Sequence, residues 1–290
     1  MRNCVLSQRR PLRVFTMNIW AFTEPLAARE RLLRAGIERL DPDLLAFQEA
    51  GFSKKRHQVA ELLDGLGYHV LHQFEHSPSL GQVEGNCAAS RWPMKLVEVR
   101  SLRLTRYSRN YPLAALAVEV AAPEPVGPLL FVNAKPSWEF HRERERELQA
   151  VALARLVERH SRPEGFPPII AGDFDATPDS ASVRFLTGKQ SLQGMSVYFA
   201  DTWQDGGDGT AGHTWTHENK LAARAEIDRL RLGRKHARRI DYIFLGHPRA
   251  FKKYARVRRC RVELDKPERG VWPSDHYAVY AEIDVLADPV

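Results

Sequence analysis

The chain reads as one large α+β domain, on three observations. Strand-like apolar runs outnumber stretches with a helical period. A few helical stretches lie between many strands, with no break into a helical half and a strand half. No internal repeat or low-complexity linker interrupts the 290 residues, and 43% of them are hydrophobic, enough for a packed core. The expectation is a single domain over residues 1–290, with its core at about 11–286.

Taken in order, residues 12–19 alternate and are rich in strand formers. Residues 24–40 carry Leu26, Leu32, Leu33, Ile37 and Leu40 at a helical period, and Asp41-Pro42-Asp43 stops the helix. Residues 44–47 form a short buried strand that ends at Gln48-Glu49, and residues 53–66 read as a second helix closed by Gly67. Strands follow at 68–73, 87–90, 96–104, 114–120 and, past a proline-rich turn, 129–133. Residues 141–160 are the longest helix; its alternating Arg and Glu meet three or four positions apart on a solvent face. Pro168-Ile169-Ile170-Ala171 is a buried strand that runs into Gly172-Asp173-Phe174-Asp175. A glycine-rich loop at 206–212 and a basic excursion at 221–238 precede strands at 240–245 and 277–285.

No run approaches the roughly 20 apolar residues of a membrane helix. Residues 1–10 lack the apolar stretch of a signal peptide. Cys4, Cys87 and Cys260 are odd in number and widely spaced, which suits a reducing cytoplasm better than a disulfide framework or a zinc site. The expected location is therefore cytoplasmic, without membrane contact. The net charge of +7 points to an anionic partner. Segments 224–239 and 249–261 concentrate that charge, the second with Phe251 and Tyr254 interleaved, a pattern of phosphate-rich ligands that a solvated face also shares.

Polar residues recur where strands end. Asn18 follows the first strand, Glu49 the second, and Asp173 and Asp175 the central one; Asp241 opens a strand, and Asp275-His276 precedes the last. Buried carboxylates are costly unless paired or bound to metal, so each is a site candidate. Each also suits an ordinary role as turn residue, surface carboxylate or core histidine.

The order of these segments resembles the endonuclease/exonuclease/phosphatase superfamily, the DNase I-like fold. Met17-Asn18-Ile19-Trp20, Phe47-Gln48-Glu49, Gly85-Asn86 through Ser90-Arg91-Trp92-Pro93, Gly172-Asp173-Phe174-Asp175, Asp201-Thr202-Trp203, His213-Thr214-Trp215, Arg239-Ile240-Asp241-Tyr242 and Ser274-Asp275-His276 carry the resemblance across nearly the whole chain. It implies a four-layer α/β/β/α sandwich of two mixed sheets, with the site at one rim. It implies Mg²⁺, with Mn²⁺ as the alternative, on Glu49, Asn18 and Asp275. It further implies that Asp173 orients or deprotonates a water, that His276 paired with Asp241 contacts the phosphate, and that Asn86, Asn133 and Arg91 serve the substrate.

Two positions depart from the family pattern. Lys135 stands where the family has His, in Val132-Asn133-Ala134-Lys135-Pro136, and Asp175 stands where it has Asn. The strand ending at Lys135, the helix at 141–160 and the strand ending at Asp173 form a β-α-β unit, whose parallel strands end at one sheet edge. Lys135 and Asp175 are therefore expected to be neighbours with compensating charges, Lys135 serving as a permanent cation for the phosphate.

The reading is a Mg²⁺-dependent phosphodiesterase or nuclease, with a phosphatase or lipid phosphodiesterase on the same scaffold as the alternative. A catalytically decayed binding protein is disfavoured by Glu49, Asp173, Asp241, Asp275 and His276 together. The basic segments favour nucleic acid as partner, and no long apolar loop suits a lipid surface. A monomer is expected, and no glycine-rich phosphate loop calls for a nucleotide cofactor.

Overall fold

The computed structural model describes residues 10–77, 82–108, 111–233, 235–247 and 253–286. Cys4 and residues 249–252 of the second basic segment lie outside the described residues. One six-stranded sheet holds β1 (Leu12–Asn18), β2 (Leu44–Phe52), β3 (His69–Ser77), β4 (Gln82–Ser90), β13 (Tyr254–Glu263) and β14 (Ala278–Leu286), in the order β13-β14-β1-β2-β4-β3. The other holds β5 (Met94–Ser101), β6 (Ala114–Ala121), β7 (Pro128–Lys135), β8 (Ile169–Asp173), β9 (Phe199–Asp201) and β12 (Asp241–Gly246), in the order β5-β6-β7-β8-β12-β9. A two-stranded ribbon, β10 (Trp215–Thr216) with β11 (Ala237–Arg238), stands apart.

The sheets face each other across Val14, Leu44, Leu116, Phe131, Ile169 and Ile243. Outside the first sheet, Phe15, Leu45 and Phe47 pack with Leu33 and Ile37 of helix α1 (Leu26–Leu40) and Val59 of α2 (Gln58–Leu62). Outside the second, Val132, Ile170, Tyr242 and Phe244 pack with Leu153 and Leu156 of α3 (Glu143–His160) and Phe185 of α4 (Ala181–Leu186). The result is the four-layer α/β/β/α sandwich. Each large apolar side chain buried this way contributes about 1.5–3 kcal/mol.

Alternation then decides which polar residues reach the rim. Successive side chains on a strand point to opposite faces. The inward parity of Val14 carries Asn18 inward; Phe131 does the same for Lys135, Ile169 for Asp173, and Ile243 for Asp241. β1 and β2 run parallel, as do β7 and β8 across the β7-α3-β8 crossover, so their ends share one rim. β12 runs antiparallel to β8 and sets Asp241 directly opposite Asp173. Gly172 permits this: a Cβ there would lie 2.0 Å from the Ala134 carbonyl oxygen.

Two expectations need correction. The helix read at 53–66 shrinks to Gln58–Leu62. The Ser53 hydroxyl accepts the N–H groups of Lys55 and Arg56 in a turn, and Gly65 and Gly67 both adopt positive φ. In the second basic segment, residues 254–263 form the edge strand β13. A β-bulge between Val257 and Arg259 disrupts the alternation that would have marked it in the sequence.

Candidate active site

Asp173 is fully buried at the centre of the rim. Its Oδ2 accepts from Asn18 Nδ2 at 3.0 Å and from Lys135 Nζ at 2.6 Å, and its Oδ1 accepts the Asp175 N–H at 3.1 Å. Asp175 adopts φ 50°, which folds its carboxylate back onto the same ammonium. Lys135 also lies 3.5 Å from Glu49 Oε1. Burial alone would raise the Asp173 carboxyl. Lys135, His276 and Asn18 outweigh it and hold the group at about 2. Burial would lower the Lys135 ammonium, and Asp173, Asp175 and Glu49 instead raise it well above its ordinary value.

His276 Nδ1 hydrogen-bonds Asp241 at 3.0 Å, leaving Nε2 toward Asp173 Oδ2 at 3.8 Å. Against burial, the carboxylates of Asp241, Asp173 and Asp275 raise the imidazole well above its usual range. The ring is therefore cationic at neutral pH, with both nitrogens as donors. Thr214 anchors this pair: its hydroxyl accepts the N–H groups of Ile240 and Asp241, and its carbonyl accepts that of Tyr277. That is the physical content of the His213-Thr214-Trp215 segment. Asp201 of the preceding segment pairs with buried Arg239 at 2.8 Å and is a fold contact.

Glu49 reaches the cleft by a different device. Plain alternation after outward-facing Phe47 would turn it away from the sandwich interior. β2 instead carries one extra residue between Phe47 and Ala50 relative to β4, and Glu49 takes φ 50°. The carboxyl lies 26% exposed on the cleft wall. Desolvation, and then the nearby Asp275 and Asp173, push it above the ordinary carboxylate range.

The bulge also fixes the place of Asn133. Its Nδ2 donates to the carbonyls of Phe47 at 2.8 Å and Cys87 at 2.9 Å, and its Oδ1 accepts from Gln48 at 2.8 Å. Asn133 is fully buried and bridges the two sheets behind Glu49, so it is a positioning residue and not part of the cleft lining. Arg91 is also misplaced by the sequence reading. It follows Ser90, which pairs with Leu44 at the start of β2, and so sits at the opposite end of the sandwich. There it pairs with Asp41 at 2.5 Å and stacks on Tyr68. Asn86 does line the cleft; its Nδ2 donates to Ala114 O at 2.8 Å, and its buried Oδ1 has no hydrogen-bond partner among the described residues.

The cleft encloses about 200 Å³. Glu49, Asn86, Lys135, Asp175, Asp275 and His276 form its polar side, while Asp173, Asp241 and Asn18 lie behind them. Trp20, Tyr111, Trp138, Phe140 and Trp215 form an aromatic wall; Trp20 and Trp215 belong to segments the sequence marks, while Tyr111, Trp138 and Phe140 sit on loops that strand-based reasoning does not reach. Arg238 was singled out only as one charge in a basic segment. It lies over Phe140 at 4.4 Å and donates from Nη2 to Asp175 O at 2.7 Å, and its buried Nη1 has no hydrogen-bond partner among the described residues. Arg29, also missed, is fully buried and donates to carbonyls of Ile19, Thr23 and Pro273, tying the loop after β1 to the Asp275-His276 loop.

Two donor sets could hold a cation. Asp173, Asp241 and His276 offer ligand atoms within 4.8 Å of one another, yet these atoms already bond each other and Lys135. Glu49 and Asp275 face the cleft, close enough that the Asp275 carboxylate helps to push the Glu49 carboxyl up.

The family model of the endonuclease/exonuclease/phosphatase family matches residues 15–276. No curated protein sequence matches the chain. Among solved structures, D. rerio TDP2 complexed with single-strand DNA product superposes with a TM-score of 0.70 at 18% identity, covering 94% of this chain and 98% of that one. The human nocturnin catalytic domain with bound sulfate gives 0.65 at 20% identity, covering 96% of each chain. A protein from Beutenbergia cavernae DSM 12333 gives 0.68 at 22% identity, covering 96% of this chain and 72% of that one. These likenesses show a shared fold, and the family match joins that fold to the rim of carboxylates, lysine and histidine: the chain belongs to the endonuclease/exonuclease/phosphatase family of phosphoester hydrolases.

Proposed function

We propose that the chain is a Mg²⁺-dependent phosphodiesterase whose favoured substrate is nucleic acid. The observation that carries this reading is the cleft itself. Carboxylates, fixed cations and an aromatic wall meet within one small volume.

The residues fit a hard divalent cation. Glu49 and Asp275 are oxygen donors on the cleft wall, and desolvation, with Asp275 and Asp173 nearby, pushes the Glu49 carboxyl up, an environment that a bound cation would relieve. Glu49 and Asp275 would hold the ion; Asn18, expected as a further ligand, is instead buried behind the cleft, its amide donating to Asp173 and accepting the Trp20 N–H. When bound, the ion supplies charge to a phosphoryl oxygen as negative charge builds there.

The remaining roles belong to the chain's own side chains. His276, fixed by Asp241, donates from Nε2 to a phosphoryl oxygen. Lys135 adds a second, non-titrating donor beside it. Asp173 at about 2 stays ionised and is a feeble base; expected to orient the attacking water, it is buried behind the cleft and instead holds Lys135 and the His276 ring in place. Arg238 and the wall of Trp138, Phe140 and Trp215 suit a base stacked beside its phosphate.

Arg238 is the residue of segment 224–239 that supports a nucleic-acid contact. The second basic segment supports it less. Arg256 and Arg258 pair with Asp284 near the end of β14, remote from Ala278 at the rim. Among the described residues no helix is long and apolar enough to cross a membrane.

The test is a Mg²⁺-dependent activity panel of plasmid DNA, RNA, sphingomyelin and bis(p-nitrophenyl) phosphate at low and high salt. Cleavage of a nucleic acid that weakens steeply with salt is the expected result. Glu49→Gln should lower the rate by about 10³-fold. Activity that survives both Glu49→Gln and Asp173→Asn would reject the reading, and preferred turnover of sphingomyelin would move the substrate to a lipid.

A further inference from the structure

The Lys135 ammonium occupies the kind of position a metal ion would. Its Nζ lies 2.6 Å from Asp173 Oδ2, in contact with Asp175 Oδ2, and 3.5 Å from Glu49 Oε1. Three carboxylates, two from the end of β8 and one from the bulge of β2, thus converge on one cation that the chain itself supplies at the end of β7. The side chain is 8% exposed, and the cluster opens to the cleft through Asp175 and Glu49.

Such a cluster is stable only with positive charge inside it. Buried carboxylates that lose their partner keep the cost of desolvation and gain nothing in return. A protonated amine and a divalent metal ion satisfy the same oxygens, the metal ion at about 2.1 Å for Mg²⁺. They differ in one respect: the amine is covalently tethered and cannot exchange. Asp175 sharpens the argument. Its αL backbone belongs to no strand, donating to Asp173 Oδ1 and accepting from Arg238 Nη2, and it turns a second carboxylate onto a lysine that already has Asp173. Carboxylate charge beyond what one ammonium neutralises marks a place built for a cation.

We infer that Lys135 is a built-in cation that fills a second ion position between Asp173, Asp175 and Glu49, so that the chain binds one divalent ion where the bare carboxylates would bind two. The inference rests on the reading of Glu49 and Asp275 as holders of the first ion. It gives Lys135 a role distinct from phosphate contact, because it fixes the number of exchangeable ions.

The experiment is Mn²⁺ binding to the full chain, read by the free-ion EPR signal and by calorimetry, without substrate. Wild type should bind one ion, Lys135→Met two, and Lys135→Arg one. Lys135→Met should also lose thermal stability in chelator and regain it in Mn²⁺ by a larger Tm shift than wild type. If Lys135→Met does not fold without metal, Lys135→Met with Asp175→Asn removes one carboxylate along with the amine. That double variant should fold and bind a single ion. Two ions on wild type, one ion on a folded Lys135→Met, or two on the double variant would each overturn the inference. No ion on wild type would reject the Glu49–Asp275 reading; a gain of one ion in Lys135→Met would then still support the role of Lys135, and no gain would overturn it as well.

Discussion

Both ends of the sandwich gather charged side chains, and they use them in opposite ways. At the end holding Arg91, Arg10, Arg13 and Arg91 surround Asp41, whose side chain is 39% exposed. Arginines outnumber carboxylates there, and water screens the pairs. At the cleft end Asp173, Asp175, Asp241, Asp275, Lys135 and His276 are all buried, and carboxylates outnumber cations. The first arrangement is mostly partly exposed ion pairs, with buried Asp43, 3.4 Å from Arg10, as the exception. The second forces protonation states far from their usual ranges. Burial and an excess of one sign, not the number of charges, separate a reactive rim from a decorated one.

Three measurements would break or sharpen that contrast. The largest effect is expected for Asp241→Asn, which removes the carboxylate that holds the His276 ring. Activity should fall by about 10²-fold or more. The pH profile should move with it. The folded-state value of His276 is raised, so its cationic form persists through neutrality and is lost as pH rises through that value. Without Asp241 the alkaline limb of the kcat/KM profile should shift to lower pH. An unchanged limb would show that His276 is not the group being titrated.

Next comes acid stability. The Asp173 carboxyl is depressed to about 2 in the folded chain, against an unfolded value near 3.9. A depressed carboxylate stabilises the fold above its unfolded value, and this is lost as pH falls toward the folded value, a contribution of about 2 kcal/mol. Urea unfolding of wild type should therefore weaken between about pH 4 and pH 2. In Asp173→Asn that part of the slope should disappear. An identical slope in both proteins would mean that other groups carry the acid sensitivity.

The smallest effect belongs to the other end. Arg91→Ala should lower stability by no more than about 1 kcal/mol, as partly exposed pairs do, and leave kcat and KM within about two-fold. A large loss of activity would place Arg91 in the function after all and erase the contrast between the ends.

What the sequence made legible follows from one geometric rule. Asn18, Lys135, Asp173 and Asp241 share the inward parity of their strands, so strand positions alone bring them to one rim. The β-α-β order likewise made Lys135 and Asp175 neighbours, as observed. Glu49 breaks the rule, because a bulge and a positive φ re-aim it, and neither has a local sequence signature. The same bulge turned Asn133 from an apparent substrate residue into a bridge. Arg91 was misread because a motif gives residue types but not which end of an antiparallel strand they occupy. The rest of the aromatic wall, beyond Trp20 and Trp215, is hidden for another reason. It is assembled from loops, whose convergence depends on tertiary contacts such as Arg29 with Pro273.

The bridge from Asn133 to Phe47, Cys87 and Gln48 bears on how the molecule folds. It joins residues 86 and 46 positions apart, and Asn18 meets Asp173 across 155. Glu49 rides on one sheet and Asp173 on the other, so the distance between them is set only when the sheets dock. Contacts this distant in sequence form slowly, because chain closure must precede their reward. Neither sheet carries the whole site alone, so the site is complete only once the two sheets have docked.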